Sequence, residues 1–429
     1  MKKINEYRGC ENFDLRQLLI MGRKENLKER TKFFESFINN LQKNKELQHL
    51  RCILSPSDRE VFVKDRYTGK TKKMLMFGSN NYLGLANHPY VIEITKSAAS
   101  KYGVGVGGPP LLNGYTNLHR ELEERLAELK GSEDALIFSS GYGANLGLVS
   151  ALVNSNDLIL YDSNSHASLY DGIKLSGANS QSFEHNNVKD LNELIKNTQS
   201  YADKFISVEG VYSMEGDTAP LDKIIKIAGA NNAYIILDDA HGTGVMGKTG
   251  RGTAEHYNVE DKIDITMGTF SKTFSVTGGF ITSSKSIISY LRFFARSYMF
   301  SASLPPAIAA AVLAGLDVIK NQPELLTNLN DNIAYTKKAL NQIGLNINSK
   351  TSIIPLKVPI GMNIRKASHA FDEEGIFLNS IEYPAVPISE QRFRISLMAT
   401  HTKQDIDNLI SVVERVWKKY SDPGRLEAA

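Results

Sequence analysis

The chain has 429 residues, with 50 basic against 47 acidic side chains and a formal charge of +3. A single core stops growing at roughly 250–300 residues, so more than one domain is expected, and so small a charge excludes the basic footprint of a nucleic-acid binder. Two cysteines, Cys10 and Cys52, do not make a disulfide framework or a CxxC site, and neither a signal-like start nor a run of about 18 apolar residues occurs, which points to a cytoplasmic protein with at most peripheral membrane contact.

Residues 1–75 read as an N-terminal arm and hairpin. The arm is polar, with a helical pattern through "ERTKFFESFINNLQK". "REVFVKDRYTGKTKKMLMFGSNNYLGL" reads as a hairpin with "TGK" at its turn, leading into a glycine-bearing loop. Residues 76–315 read as a large domain. After the helical "VIEITKSAASKY" come "DALIFSS", "DLILYDS", "DKFISVEG", "AYIILDDAH", "IDITMGTF" and "GGFITSS", most of them followed by a helical segment. Such alternation predicts an α/β fold with a mostly parallel central sheet flanked by helices. A long helix is predicted to start at Pro305 and Pro306, where proline suits a first turn. Residues 316–422 mix helical stretches with the short strands "SIIPLKV" and "RFRISLM", which predicts a smaller C-terminal α+β domain.

Ligands of such sheets bind beyond the carboxyl ends of the strands. The residues found there are Gly141 and Tyr142, His166, Glu209 and Ser213, Asp238 and His241, and Lys272. Lys272 lies in "MGTFSKTFSVTGG", among hydroxyl residues and with no acidic neighbour, unlike an ordinary surface lysine. A desolvated amine deprotonates more easily and can form a Schiff base with an aldehyde. Asp238 follows the apolar run "YIIL". A carboxylate there either caps a turn or needs a strong partner, and a protonated pyridine nitrogen is such a partner at pyridoxal phosphate sites. His241 has no second histidine at ligand spacing, so no metal site is expected. "SSGYGANLG" opens a helix where a phosphate would find N–H donors, with Thr269 and Ser271 flanking the lysine; a plain tight turn is the alternative. "GVGVGG" follows a helix rather than a strand, which removes the basis for a dinucleotide fingerprint. Arg392 and Arg394 share one face of a predicted strand, suited to a substrate carboxylate or to a salt bridge.

The motifs "NNYLGL", "NGYTNLHRELE", "FSSGYGAN", "SHASLYDGIKLS", "VEGVYSMEGD", "LDDAHGTGVMGKTGRG", "GTFSKTFSVTGGF", "FSASLPPA" and "MATHT" resemble, in the same order, those of the α-oxoamine synthases. These are pyridoxal phosphate transferases of fold type I. The resemblance implies pyridoxal 5'-phosphate as cofactor, with Lys272 as its Schiff-base lysine and later the mover of protons at the substrate α-carbon. It places His166 on the cofactor ring, Asp238 at the pyridine nitrogen and His241 at the phenolic oxygen. Gly141, Tyr142, Ser213, Thr269 and Ser271 are implied around the phosphate, and Arg394 with Asn80 or Asn81 at the amino-acid carboxylate. A homodimer with active sites at the interface is implied too, with Ser303 directed at the phosphate of the other subunit.

The implied reaction is a decarboxylative condensation of a small amino acid with an acyl-CoA, or an acyl-carrier protein, to an α-amino ketone. "MGTFSKTF", "ARSYMFSASLPPA" and "RFRISLMATHT" look most like soluble bacterial serine palmitoyltransferases, and "NGYTNLH" leans toward 8-amino-7-oxononanoate synthases. Glycine C-acetyltransferases form a further branch. Pro109 and Pro110 depart from the pattern, standing where many members carry arginine in a G-[ST]-R run. A non-catalytic fold type I subunit is the alternative of another class, and an aminotransferase a third reading; the presence of Lys272 speaks against the silent subunit.

Overall fold

The computed structural model describes residues 25–198, 201–359 and 361–421. Its first element is the helix Leu27–Lys43, which falls on the helical pattern of the arm; the arm's first 24 residues lie outside the described residues. Strands β1 (Cys52–Ile53), β2 (Glu60–Lys64) and β3 (Thr71–Met76) follow. β2 and β3 pair antiparallel as the expected hairpin, Lys64 opposite Thr71.

The central sheet contains β4 (Asp134–Phe138), β5 (Leu158–Asp162), β6 (Asn179–Phe183), β7 (Lys204–Glu209), β8 (Ala233–Asp238), β9 (Ile265–Thr269) and β10 (Gly279–Ser283). Its order is β4-β10-β9-β8-β7-β5-β6, and only β10 runs against its neighbours. Helices cover both faces, so the inner strands bury side chains on each side. Leu136, Ile159, Leu160, Ile206, Leu237 and Ile281 are fully buried. β6 is the strand that the apolar pattern misses. Its sequence "NSQSF" exposes every residue but Phe183, as suits a polar edge that resists pairing with other chains.

The helix predicted from the proline pair runs Pro306–Asn321 and packs against the helix Pro89–Tyr102. It stops at Gln322 and Pro323, and a new helix, Glu324–Gln342, leads into the C-terminal part. There β11 (Ile353–Lys357), β12 (Ile376–Phe377), β13 (Asn379–Ile381) and β14 (Arg392–Ser396) are formed. β14 is the middle strand of a three-stranded sheet between β11 and β13, not an edge. β12 pairs parallel with β3, so the N-terminal hairpin and the C-terminal part share one sheet. Among the described residues, no helix is long and apolar enough to cross a membrane.

His401, in "MATHT", joins the hairpin to the C-terminal part as a neutral ring. Its Nδ1 accepts from the Met398 N–H at 3.1 Å, and its Nε2 lies 3.0 Å from the Met76 carbonyl. Burial holds its pKa down to about 4. Between about 6.5 and 4 the unfolded chain therefore binds a proton that the folded protein refuses, and stability is lost as pH falls through that window. The expected loss is about 3 kcal/mol. Urea unfolding of the wild type and of His401→Gln at pH 7 and pH 4.5 checks this. The variant, less stable at pH 7, is expected to lose less on acidification.

Candidate active site

The inner parallel strands of the central sheet deliver functional groups at their carboxyl edge because they are buried apolar runs that the chain must leave polar. β8 ends on Asp238, and the adjacent Asp239 points the other way, as alternation requires. Asp239 is fully buried and is held by Lys130 Nζ at 2.7 Å and Thr253 Oγ1 at 2.7 Å. Asp238 faces the opposite group. Its Oδ2 accepts from Asn145 Nδ2 at 2.7 Å and its Oδ1 from the Ala240 N–H at 3.1 Å. Asn145 also donates to Ser168 Oγ at 3.0 Å, which ties the helix Gly141–Leu152 to the helix Ala167–Ser176.

Lys272 follows β9 and is half-buried. Burial pushes its ammonium pKa down, Asp238 and Glu209 pull it up, and Arg394 pushes it down again. The turn that carries it is closed by Ser275, whose Oγ lies 3.0 Å from the Lys272 carbonyl and 2.8 Å from Asn81 Oδ1, two acceptors that share its single proton. Ser275 adopts φ 56°, a left-handed conformation unusual for a residue other than glycine.

His241 is buried, with its Nδ1 2.7 Å from the Tyr82 hydroxyl. Burial drives its pKa well below the ordinary value, and Lys272, Arg394 and His166 drive it further, so the ring is neutral. His166 caps the helix Ala167–Ser176, its Nδ1 2.8 Å from Ser168 Oγ. Its ring is exposed and stands edge-on to Tyr142, with centroids 6.2 Å apart. Partial enclosure by the site lowers its pKa, Asp238 raises it and Lys272 lowers it. Glu209 is buried; burial and the nearby Asp238 push its carboxyl pKa well up.

The start of the helix Gly141–Leu152 forms a donor cradle. Ser140 Oγ takes the Gly143 N–H at 2.9 Å, which leaves the N–H groups of Gly141 and Tyr142 without partners within the helix. Thr269 Oγ1 and Ser271 Oγ lie 2.9 Å apart beside it. A Cβ on Gly141 would sit 2.8 Å from Thr269 Oγ1, so only glycine lets hydroxyl and helix end come this close. Tyr142 is exposed and bonds Asp171 through its hydroxyl.

Arg394 reaches this edge from β14. Its Nη2 donates to Asn80 Oδ1 at 3.1 Å and its Nη1 to the Ser213 carbonyl at 3.3 Å, while its buried Nε has no partner. Asn81 likewise has a buried Nδ2 with no partner. Arg392, two residues earlier, is consumed by Glu215 and Glu390, both at 3.1 Å, and acts as a structural ion pair. Ser303 belongs to a different contact. Its N–H donates to the Gly108 carbonyl at 3.1 Å, and its buried, unpartnered Oγ lies against Gly114. Pro109 and Pro110 lie in the same turn, where the Leu112 and Gly114 N–H groups donate to the Pro109 carbonyl.

Three residues of the cluster lie inside the quoted motifs but receive no role from them: Asn145, Tyr82 and Ser275. A polar side chain in an apolar helix and a tyrosine in an apolar run are signals of a kind, because both must find hydrogen-bond partners when buried. Which partners they find is set by tertiary contact.

The donor set fits pyridoxal phosphate. It offers one amine made easier to deprotonate, one carboxylate at a strand end, a neutral histidine, an open imidazole face and a helix N-terminus lined by hydroxyls. Comparison with known proteins agrees. A family model described as aminotransferase class I and II matches residues 72–413. A serine palmitoyltransferase from Bacteriovorax stolpii is 42% identical over 361 residues, covering 84% of this chain and 86% of that protein. An 8-amino-7-oxononanoate synthase from Bacillus velezensis is 36% identical over 388 residues, covering 90% of this chain and 98% of that protein. Among solved structures, a serine palmitoyltransferase from S. paucimobilis with bound PLP-myriocin aldimine aligns with a TM-score of 0.86 over 92% of this chain and 99% of that one, at 28% identity. With its lysine, aspartate and histidines gathered on one sheet edge, the chain belongs to the class I and II aminotransferase family, among the pyridoxal phosphate-dependent α-oxoamine synthases.

Proposed function

We propose that the protein condenses L-serine with a long-chain acyl-CoA, releasing carbon dioxide and CoA, to give an α-amino ketone of the 3-ketosphinganine type. The observation that carries this reading is the pair of buried donors without partners, Arg394 Nε and Asn81 Nδ2, around the Lys272 loop. Buried donors of this kind are costly unless an acceptor arrives, and a carboxylate is the acceptor that suits a guanidinium best. The serine palmitoyltransferases among the relatives support serine and a long acyl chain.

In this reading Lys272 holds the cofactor, with Asp238 at its ring nitrogen, His241 at its phenolic oxygen and His166 over its ring. Gly141, Tyr142, Ser213, Thr269 and Ser271 surround the phosphate. Pyridoxal phosphate, when bound, supplies the electron sink for the bonds broken at the substrate α-carbon. Arg394 orients the substrate by its carboxylate. Asn81 is the better placed of the two asparagines to assist, because Asn80 Oδ1 already accepts from Arg394 while the Asn81 amide N–H is free to donate. Lys272, with its lowered pKa, removes and returns the α-proton. The assembly is a homodimer with Ser303 completing the neighbouring site.

The 8-amino-7-oxononanoate synthase relatives favour a second reading, alanine with a pimeloyl thioester. Absorbance titrations of the cofactor-loaded protein with L-serine, L-alanine and glycine separate the two. Serine is expected to saturate at the lowest concentration, whereas tighter alanine binding supports the second reading. Arg394→Ala is expected to lower kcat/KM for the amino acid by about 10²-fold or more and to leave the acyl-CoA KM within a few-fold. An unchanged kcat/KM would remove Arg394 from the site.

A further inference from the structure

We propose that Tyr82 is the positioning residue that decides which ring nitrogen of His241 carries the proton, with its direction set by Asn80 and Arg394. The inference rests on His241 facing the phenolic oxygen of the cofactor, as proposed above. Tyr82 is fully buried. Its hydroxyl lies 2.7 Å from His241 Nδ1 and 3.2 Å from Asn80 Oδ1, and Asn80 Oδ1 accepts from Arg394 Nη2 at 3.1 Å. The four side chains thus lie in one line of polar contacts from the carboxylate-binding arginine to the cofactor-facing histidine.

A phenol has one proton and cannot serve two acceptors. If Tyr82 donates to His241 Nδ1, the neutral imidazole carries its proton on Nε2 and presents a donor. If Tyr82 donates to Asn80, Nδ1 must carry the proton and donate to the phenol oxygen, and Nε2 becomes an acceptor. Two observations select the first arrangement. The contact to His241 is the shorter. Asn80 Oδ1 already accepts from Arg394. An Nε2–H donor is what an anionic phenolic oxygen requires.

The test uses full-length, cofactor-loaded protein labelled with 15N-histidine, measured without amino acid or acyl donor, with His241→Asn to assign the signal among the nine histidines. The expected spectrum shows His241 with protonated Nε2 and bare Nδ1; a protonated Nδ1 overturns the proposal. In Tyr82→Phe the two forms are expected to mix or invert, with kcat lowered about 10-fold and KM for L-serine within twofold. A folded Tyr82→Phe protein with the wild-type spectrum also overturns it. Should the variant not fold, the wild-type tautomer decides alone. A correct tautomer without condensation activity would sink only the proposed function. A protonated Nδ1 with normal condensation would sink only the role of Tyr82.

Discussion

Replacing Lys272 with alanine is expected to abolish condensation, by on the order of 10³-fold or more, and to remove the visible absorbance of covalently held cofactor. The group lost is an amine that burial makes easier to deprotonate, against the opposite pull of Asp238 and Glu209. Its immediate neighbours Thr269, Ser271 and Thr273 carry hydroxyls, which form no Schiff base with an aldehyde. Thr273 donates to the Thr243 carbonyl at 2.8 Å and is fully committed to the fold. Thiol release from acyl-CoA and the absorbance spectrum measure the two effects, and circular dichroism shows that the variant folds. Retained activity would place the reaction elsewhere in the molecule.

Asp238→Asn is expected to cost about 10²–10⁴-fold in kcat. Breaking a buried charge pair costs about 3–5 kcal/mol, and each 1.36 kcal/mol is tenfold in rate. An amide fills the same volume but cannot balance a protonated ring nitrogen, and it also turns against Asn145 Nδ2, which now donates to Asp238 Oδ2. The neighbouring residue supplies the control. Asp239 is buried against Lys130 and Thr253, so Asp239→Asn is expected to show mainly as lost stability, by a few kcal/mol in urea unfolding. Equal kinetic losses in the two variants would contradict the division of labour within "DD".

Much of this arrangement is legible in the chain because a parallel sheet buried on both faces leaves continuous apolar runs, and its ligand edge begins where each run ends. Lys272, Asp238, His241 and His166 stand at those ends, and the structure brings them within electrostatic reach of one another. β6 was hidden because an edge strand needs no apolar face, and the β3–β12 pairing because it joins residues some three hundred positions apart. Arg392 and Arg394 cannot be told apart by strand alternation, which puts both on one face. Only the positions of Glu215 and Glu390 show that the first is neutralised and the second is free to turn to the site. The same holds for Asn80 and Asn81, whose different hydrogen-bond partners come from β14 and from the Lys272 turn. Tyr82, Asn145 and Ser275 likewise reach their distant partners, His241, Asp238 and Asn81, only through the fold.

The most direct measurement is a single reaction of cofactor-loaded protein with L-serine and palmitoyl-CoA, following free thiol, carbon dioxide and the mass of the organic product together. Equal amounts of thiol and carbon dioxide, with an α-amino ketone carrying the acyl chain, are the predicted result. Neither thiol nor carbon dioxide with serine, alanine or glycine and any acyl-CoA from acetyl to stearoyl would contradict the condensation itself.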